Sequence, residues 1–138
     1  MNIYTTTLAT LTNPAIVALA EQMRKTVTKA MTDIKISQLL IDRGLVLAEI
    51  SKDYIVEEHI DIKALTHMAA TVEAEPARLF NGSDIIDGVL WPQDMTDDSM
   101  PEVLEMFRTL AETRGHDAAA CICFMNFVIG EVMMERIA

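Results

Sequence analysis

From Asp117 to Ile137 the chain carries a nearly unbroken apolar run, and Ala118 to Ile129 reads AAACICFMNFVI with Asn126 as its single polar residue. A segment apolar on every side has no solvent face, so the rest of the molecule must enclose it. Length decides its conformation: about 21 residues make roughly 30 Å of helix, far more than a typical strand of about 5 or 6 residues. A membrane span needs about 20 mostly apolar residues, whereas Asn126, Gly130, Glu131, Glu135 and Arg136 interrupt this run. The stretch therefore reads as the buried C-terminal helix of an all-α bundle. Ala118, Ala119, Ala120, Cys121 and Gly130 would let neighbouring helices come close. Gly130 costs about 1 kcal/mol of helix propensity relative to Ala, so its presence points to tight packing. Asn126, once buried, needs hydrogen-bond partners, and it could fix the register of a neighbouring helix or of a second subunit.

The remaining residues supply the coat. A chain of 138 residues, 51% apolar and 23% charged, makes one folded domain and is not a disordered chain. Ten Met beside four Phe, two Tyr and one Trp predict an aliphatic, Met-rich core. Residues 1–12, with Thr5, Thr6, Thr7, Thr10 and Thr12, read as a short extended arm or a weak helical start. Asn13 as N-cap and Pro14 at the first helical position open a helix. Its apolar face is Ile16, Leu19, Ala20, Met23, Val27, Ala30, Met31 and Ile34. Arg24, Lys25, Thr28 and Lys29 form a basic strip on the other side, read as a solvated face.

Asp33 caps a second helix through Ile36, Leu39, Leu40 and Ile41, or the first helix continues; the periodicity permits both. Gly44 is expected to end it as a C-cap. The pattern resumes at Leu45–Ile50 and runs through Tyr54, Ile55, Ile62, Leu65, Met68 and Val72 to a stop before Pro76, as one helix or two, with Asp61 the candidate cap of the second. Residues 76–98 are the irregular part, with turn signals at Asn81-Gly82 and Asp87-Gly88 and room for a short hairpin over 81–91. Ser99 and Glu102 form a capping box around Pro101. The helix they open turns Val103, Met106, Phe107 and Leu110 inward and Glu105, Arg108, Thr109 and Glu112 outward. Gly115 stops it, and Asp117 is expected to cap the final helix at once, making an antiparallel hairpin.

The net charge of -10 is unevenly placed. Residues 1–53 sum to +1 and residues 54–138 to -11. Such a field repels nucleic acid and anionic membranes and attracts basic surfaces, with plain solubility as the simpler reading. The start MNIYTTTLAT has neither the basic nor the long apolar region of a secretory signal. Cys121 and Cys123, about 200° apart around a helix, cannot easily share a disulfide or a metal and fit a reducing compartment. The expected location is cytoplasmic.

Four arrangements bear on chemistry. SQLLIDRGLVLAEISKDYI has loose helix-turn-helix spacing about Gly44, but the would-be recognition helix offers Glu49, Lys52 and Asp53 where DNA readers carry Arg, Lys, Asn or Gln. Glu58 with Asp61, and Glu102 with Glu105, have the spacing of a divalent-metal site for phosphoester cleavage, and also that of chance in an acidic chain. His59, His67 and His116 show no ligand spacing; His59 and His67 read as partly buried. No serine sits in a nucleophile motif, and there is no glycine-rich phosphate loop.

The expectation is a single all-α domain of about five helices around the buried C-terminal one, with no cofactor, no metal and no direct nucleic-acid contact. A symmetric homodimer would cover what a four-helix coat leaves exposed. The expected function is non-enzymatic: an acidic protein-binding module, of inhibitor or immunity type, engaging a basic, nucleic-acid-handling protein. The contact residues would be Asp94, Asp97, Asp98, Glu102 and Glu105, with Trp91, Met95 and Met100 as apolar anchors. The alternative is a helical small-molecule-binding or metal-dependent phosphoester-cleaving domain with a Met-lined apolar pocket.

Overall fold

In a computed structural model of the protein the described residues are 10–33, 38–74, 105, 109, 112 and 115–137. Among them there is no strand, and the all-α expectation holds. Four α-helices have bounds within the described residues: α1 Pro14–Asp33, α2 Gln38–Ser51, α3 Ile62–Ala74 and α4 His116–Ile137. Two 3-10 turns, Lys52–Tyr54 and Glu57–His59, link α2 to α3. Glu105, Thr109 and Glu112 are also helical and exposed, at the spacing of one outward face. Of the arm or weak helical start expected over 1–12, residues 10–12 are described and are not helical; residues 1–9, the acidic connection over 76–98 with its hairpin, and the Ser99–Glu102 capping box lie outside the described residues.

Local signals place the starts of α1 and α3. Asn13 Oδ1 accepts the Ala15 N–H at 2.9 Å, its carbonyl accepts the Val17 N–H at 3.0 Å, and Pro14 follows as the first helical residue. Asp61 does the same for α3, its Oδ1 accepting the N–H groups of Lys63 at 2.9 Å and Ala64 at 3.3 Å. Between α2 and α3 the β-branched pair Ile55 and Val56 is extended, so the stretch holds two helices. Thr26, Thr28 and Thr32 of α1 each donate their hydroxyl to the carbonyl four residues back, which satisfies the hydroxyl within the helix.

Two expectations about glycine and its neighbours need correction. Gly44 does not end a helix: α2 runs through it, and it is buried without a positive φ. Its role is proximity. A Cβ added at Gly130 of α4 would overlap the Ala48 methyl and stand 3.6 Å from the Gly44 carbonyl oxygen, so α2 and α4 meet through Gly44, Ala48 and Gly130. Asp117 does not cap α4, which begins one residue earlier at His116. Gly115 precedes it with φ 90, a left-handed conformation that glycine adopts without Cβ strain, and its carbonyl accepts the Ala119 N–H at 3.3 Å. At Asp33 the described part of α1 ends, and residues 34–37 leave its junction with α2 undescribed.

Every residue from Ala119 to Met133 is buried, as an all-apolar helix requires. α4 packs against α2 along the face of Phe127 and Gly130, against α1 along the face of Glu131 and Glu135, and against both 3-10 turns. α3 packs on α1, burying Leu65, Met68, Ala69 and Val72. Met23, Met31, Met68, Met125 and Met133 lie within this core, in agreement with its Met-rich composition.

Candidate functional site

Glu105 is the described member of the acidic set, exposed on its helix. Trp91, Asp94, Met95, Asp97, Asp98, Met100 and Glu102 lie outside the described residues. The helix-turn-helix reading is overturned, since its would-be turn is the interior of α2 and Lys52 Nζ pairs with Glu49 at 2.5 Å. In the Glu58–Asp61 pair, Asp61 is committed to the α3 cap and Glu58 stands exposed. Among the described residues no three His, Cys, Asp or Glu side chains are grouped to hold a metal ion. No described helix is long and apolar enough to cross a membrane.

Two polar ties fasten the chain around the 3-10 turns. Glu57 Oε1 accepts the N–H of Asn13 at 2.5 Å and of Thr12 at 2.9 Å, while Oε2 accepts the Thr12 hydroxyl at 3.1 Å. The Asn13 N–H foremost holds the Glu57 carboxyl below its ordinary range, against a smaller opposing effect of burial. His59 Nδ1 stands 3.1 Å from Asp117 Oδ1 in the first turn of α4, a position where a carboxylate complements the helix dipole. His59 is partly exposed, whereas His67, expected to be partly buried, is exposed on α3.

Both thiols are free and buried. Burial pushes the Cys121 thiol up, and its S–H donates to the Asp61 carbonyl at 3.7 Å. Burial pushes the Cys123 thiol up to about 12, the nearby Ser51 offsetting little. Neither is a nucleophile near neutral pH, because the reactive form is the thiolate.

The most organised polar group joins α1 to the second half of α4. Arg24 Nη1 lies 3.0 Å from Glu131 Oε1, and Nη2 pairs with Glu135. Glu131 is 3% exposed, beneath the guanidinium, and its buried Oε2 has no hydrogen-bond partner among the described residues. Burial pushes its carboxyl above the ordinary range, and Arg24 pulls it only part of the way back. Beside this cluster Glu21, Arg24, Lys25, Thr28 and Lys29 wall an open cleft of about 550 Å³, bounded on the α4 side by Glu135. A smaller depression of about 220 Å³ adjoins it, sharing Thr28 and Glu135 and floored by Met31 and Val132. The basic strip is thus divided: Lys25, Thr28 and Lys29 are exposed, while Arg24 turns onto α4. An acid inside an apolar helix signals a cation nearby, but the sequence does not say which of Arg24, Lys25 and Lys29 supplies it.

Asn126 is 1% exposed, and among the described residues neither its Oδ1 nor its Nδ2 has a hydrogen-bond partner, so it ties no described helix in register by that means. Comparison with protein-family models, with curated proteins and with solved structures finds no match for this chain.

Proposed function

We propose that the protein is a non-enzymatic binding module that captures a protein with a basic, nucleic-acid-handling surface and blocks that surface. The observation that carries this reading is the charge distribution: residues 54–138 sum to -11 against +1 for residues 1–53. The field concentrates where Asp94, Asp97, Asp98, Glu102 and Glu105 follow one another with no Lys or Arg among them. A local excess of charge of one sign steers an oppositely charged partner and raises its association rate. Trp91, Met95 and Met100 would supply apolar anchors, which charge alone does not provide. Exposure of Glu105 on its helix is in keeping with this role.

The test is capture of a partner from the source cell, followed by association rates at two salt concentrations. Reversal of Asp94 and Asp97 to Lys is expected to leave the helical content unchanged and slow association. The difference should shrink as salt brings the Debye length below about 8 Å. Capture of the same partner at an unchanged rate would remove the acidic segment from the interface.

A further inference from the structure

The contact between α1 and the second half of α4 holds a charge that its surroundings answer only in part. Glu131 is sealed into it; Oε1 meets Arg24 Nη1 at 3.0 Å, while Oε2 has no hydrogen-bond partner among the described residues. The Arg24 side chain is itself 41% exposed and is shared with Glu135, so water and a second carboxylate both weaken its hold on Glu131. Around this pair α1 also carries Glu21, Lys25 and Lys29, which wall the neighbouring cleft. On the other packed elements Glu73 of α3 accepts from Gln22 Nε2 at 3.0 Å, Asp42 of α2 accepts from Gln38 Nε2 at 2.9 Å, and Glu49 pairs with Lys52. A buried carboxylate short of partners destabilises its site when ionised and is well tolerated when protonated.

This contact is also the narrower of the two that hold α4, which rests more broadly on α2 than on α1. A depression of about 220 Å³ already lies along it, over the buried Met31 and Val132. The first turn of α4 is fastened separately, by the 3-10 turns and the His59–Asp117 pair. We infer that ionisation of Glu131 loosens the contact between α1 and the second half of α4, making it a proton-controlled seam: closed while Glu131 is protonated, opening over Met31 and Val132 when it is charged. Because burial holds the Glu131 carboxyl above its ordinary 4.5, the change falls on the neutral side of that value. The inference is independent of the proposed acidic partner surface, which lies on other residues.

Peroxide footprinting of the full chain from pH 4.5 to about pH 8 tests it, with free methionine as the rate standard. A thioether has no titrating proton, so its conversion to the sulfoxide reports exposure. Relative to the standard, Met31 should oxidise faster as pH rises, while Met68, buried where α3 packs on α1, stays protected. Glu131→Gln has no charge to gain and should hold Met31 at its low-pH rate throughout. Glu135→Ala, a change at an exposed position, leaves the guanidinium to Glu131 alone and should make the rise smaller. A Met31 rate that does not change with pH, an equal rise in Glu131→Gln, a rise undiminished in Glu135→Ala, or a parallel rise at Met68 would each overturn the inference, the last because it marks loosening of the whole core.

Discussion

Glu131 and Glu57 respond to pH in opposite senses. The Glu131 carboxyl is pushed above its ordinary 4.5 by burial, so the native state keeps that proton longer than the unfolded chain does. Its contribution is favourable at low pH and diminishes as pH rises from about 4.5 through the native value. The Glu57 carboxyl is held below 4.5 by the Asn13 N–H, so its contribution is present above 4.5 and is lost as pH falls through the native value. Glu131→Gln mimics the protonated side chain and keeps a hydrogen-bond acceptor for Arg24. Relative to wild type, its melting temperature should rise as pH increases above about 4.5, whereas that of Glu57→Gln should fall as pH increases from below the native Glu57 value to about 4.5 and then level off. Parallel pH profiles of both variants and wild type would refute both assignments. Asn126 offers a simpler measurement. A buried amide without partners costs about 1–3 kcal/mol, so Asn126→Leu, apolar and similar in shape, should raise stability by about 1 kcal/mol in denaturant unfolding. A loss of that size would mean that the amide has a role the fold alone does not explain.

At the scale of elements, the sequence was legible where a signal is local. Asn13-Pro14 and Asp61 act on N–H groups two or three residues away, and both caps stand where their residue types place them. Gly44 misled because a glycine that ends a helix and one that admits a neighbouring helix have the same flanks; the neighbour, Gly130, lies far along the chain. The Arg24–Glu131 pair was hidden for the same reason, and with it the cleft. Gly130→Ala tests the α2–α4 contact. The new methyl would gain about 1 kcal/mol of helix propensity but overlap the Ala48 methyl, which no rotamer change can move. Overpacking costs about 1–3 kcal/mol, so a net loss is expected. Adding Ala48→Gly to Gly130→Ala should recover part of it, measured as a coupling energy in a double-mutant cycle. Additive effects would show that the helices do not meet at this pair.

For the whole molecule, the decisive sequence property was the apolarity of the C-terminal stretch. It set the fold class and the central position of α4 before any contact was known. The proposed partner surface is less legible in the sequence, because charge gives the sign of a partner and leaves its shape open. Since α1, α2 and both 3-10 turns rest on α4, a chain cut before Ala118 should lose cooperative unfolding and bind hydrophobic dye. A sharp thermal transition in the cut chain would show that α1, α2 and α3 form a core of their own.

The position of α4 in the chain also has a consequence for synthesis. The helix that fills the centre is made after α1, α2 and α3, and the faces that α1 and α2 turn toward it have no cover until then. At about 5–20 residues per second, the roughly 60 residues between the end of α3 and the end of α4 take roughly 3–13 s to make. Burial of the faces that α1 and α2 turn toward α4 is then a late event, possible only once α4 has been made.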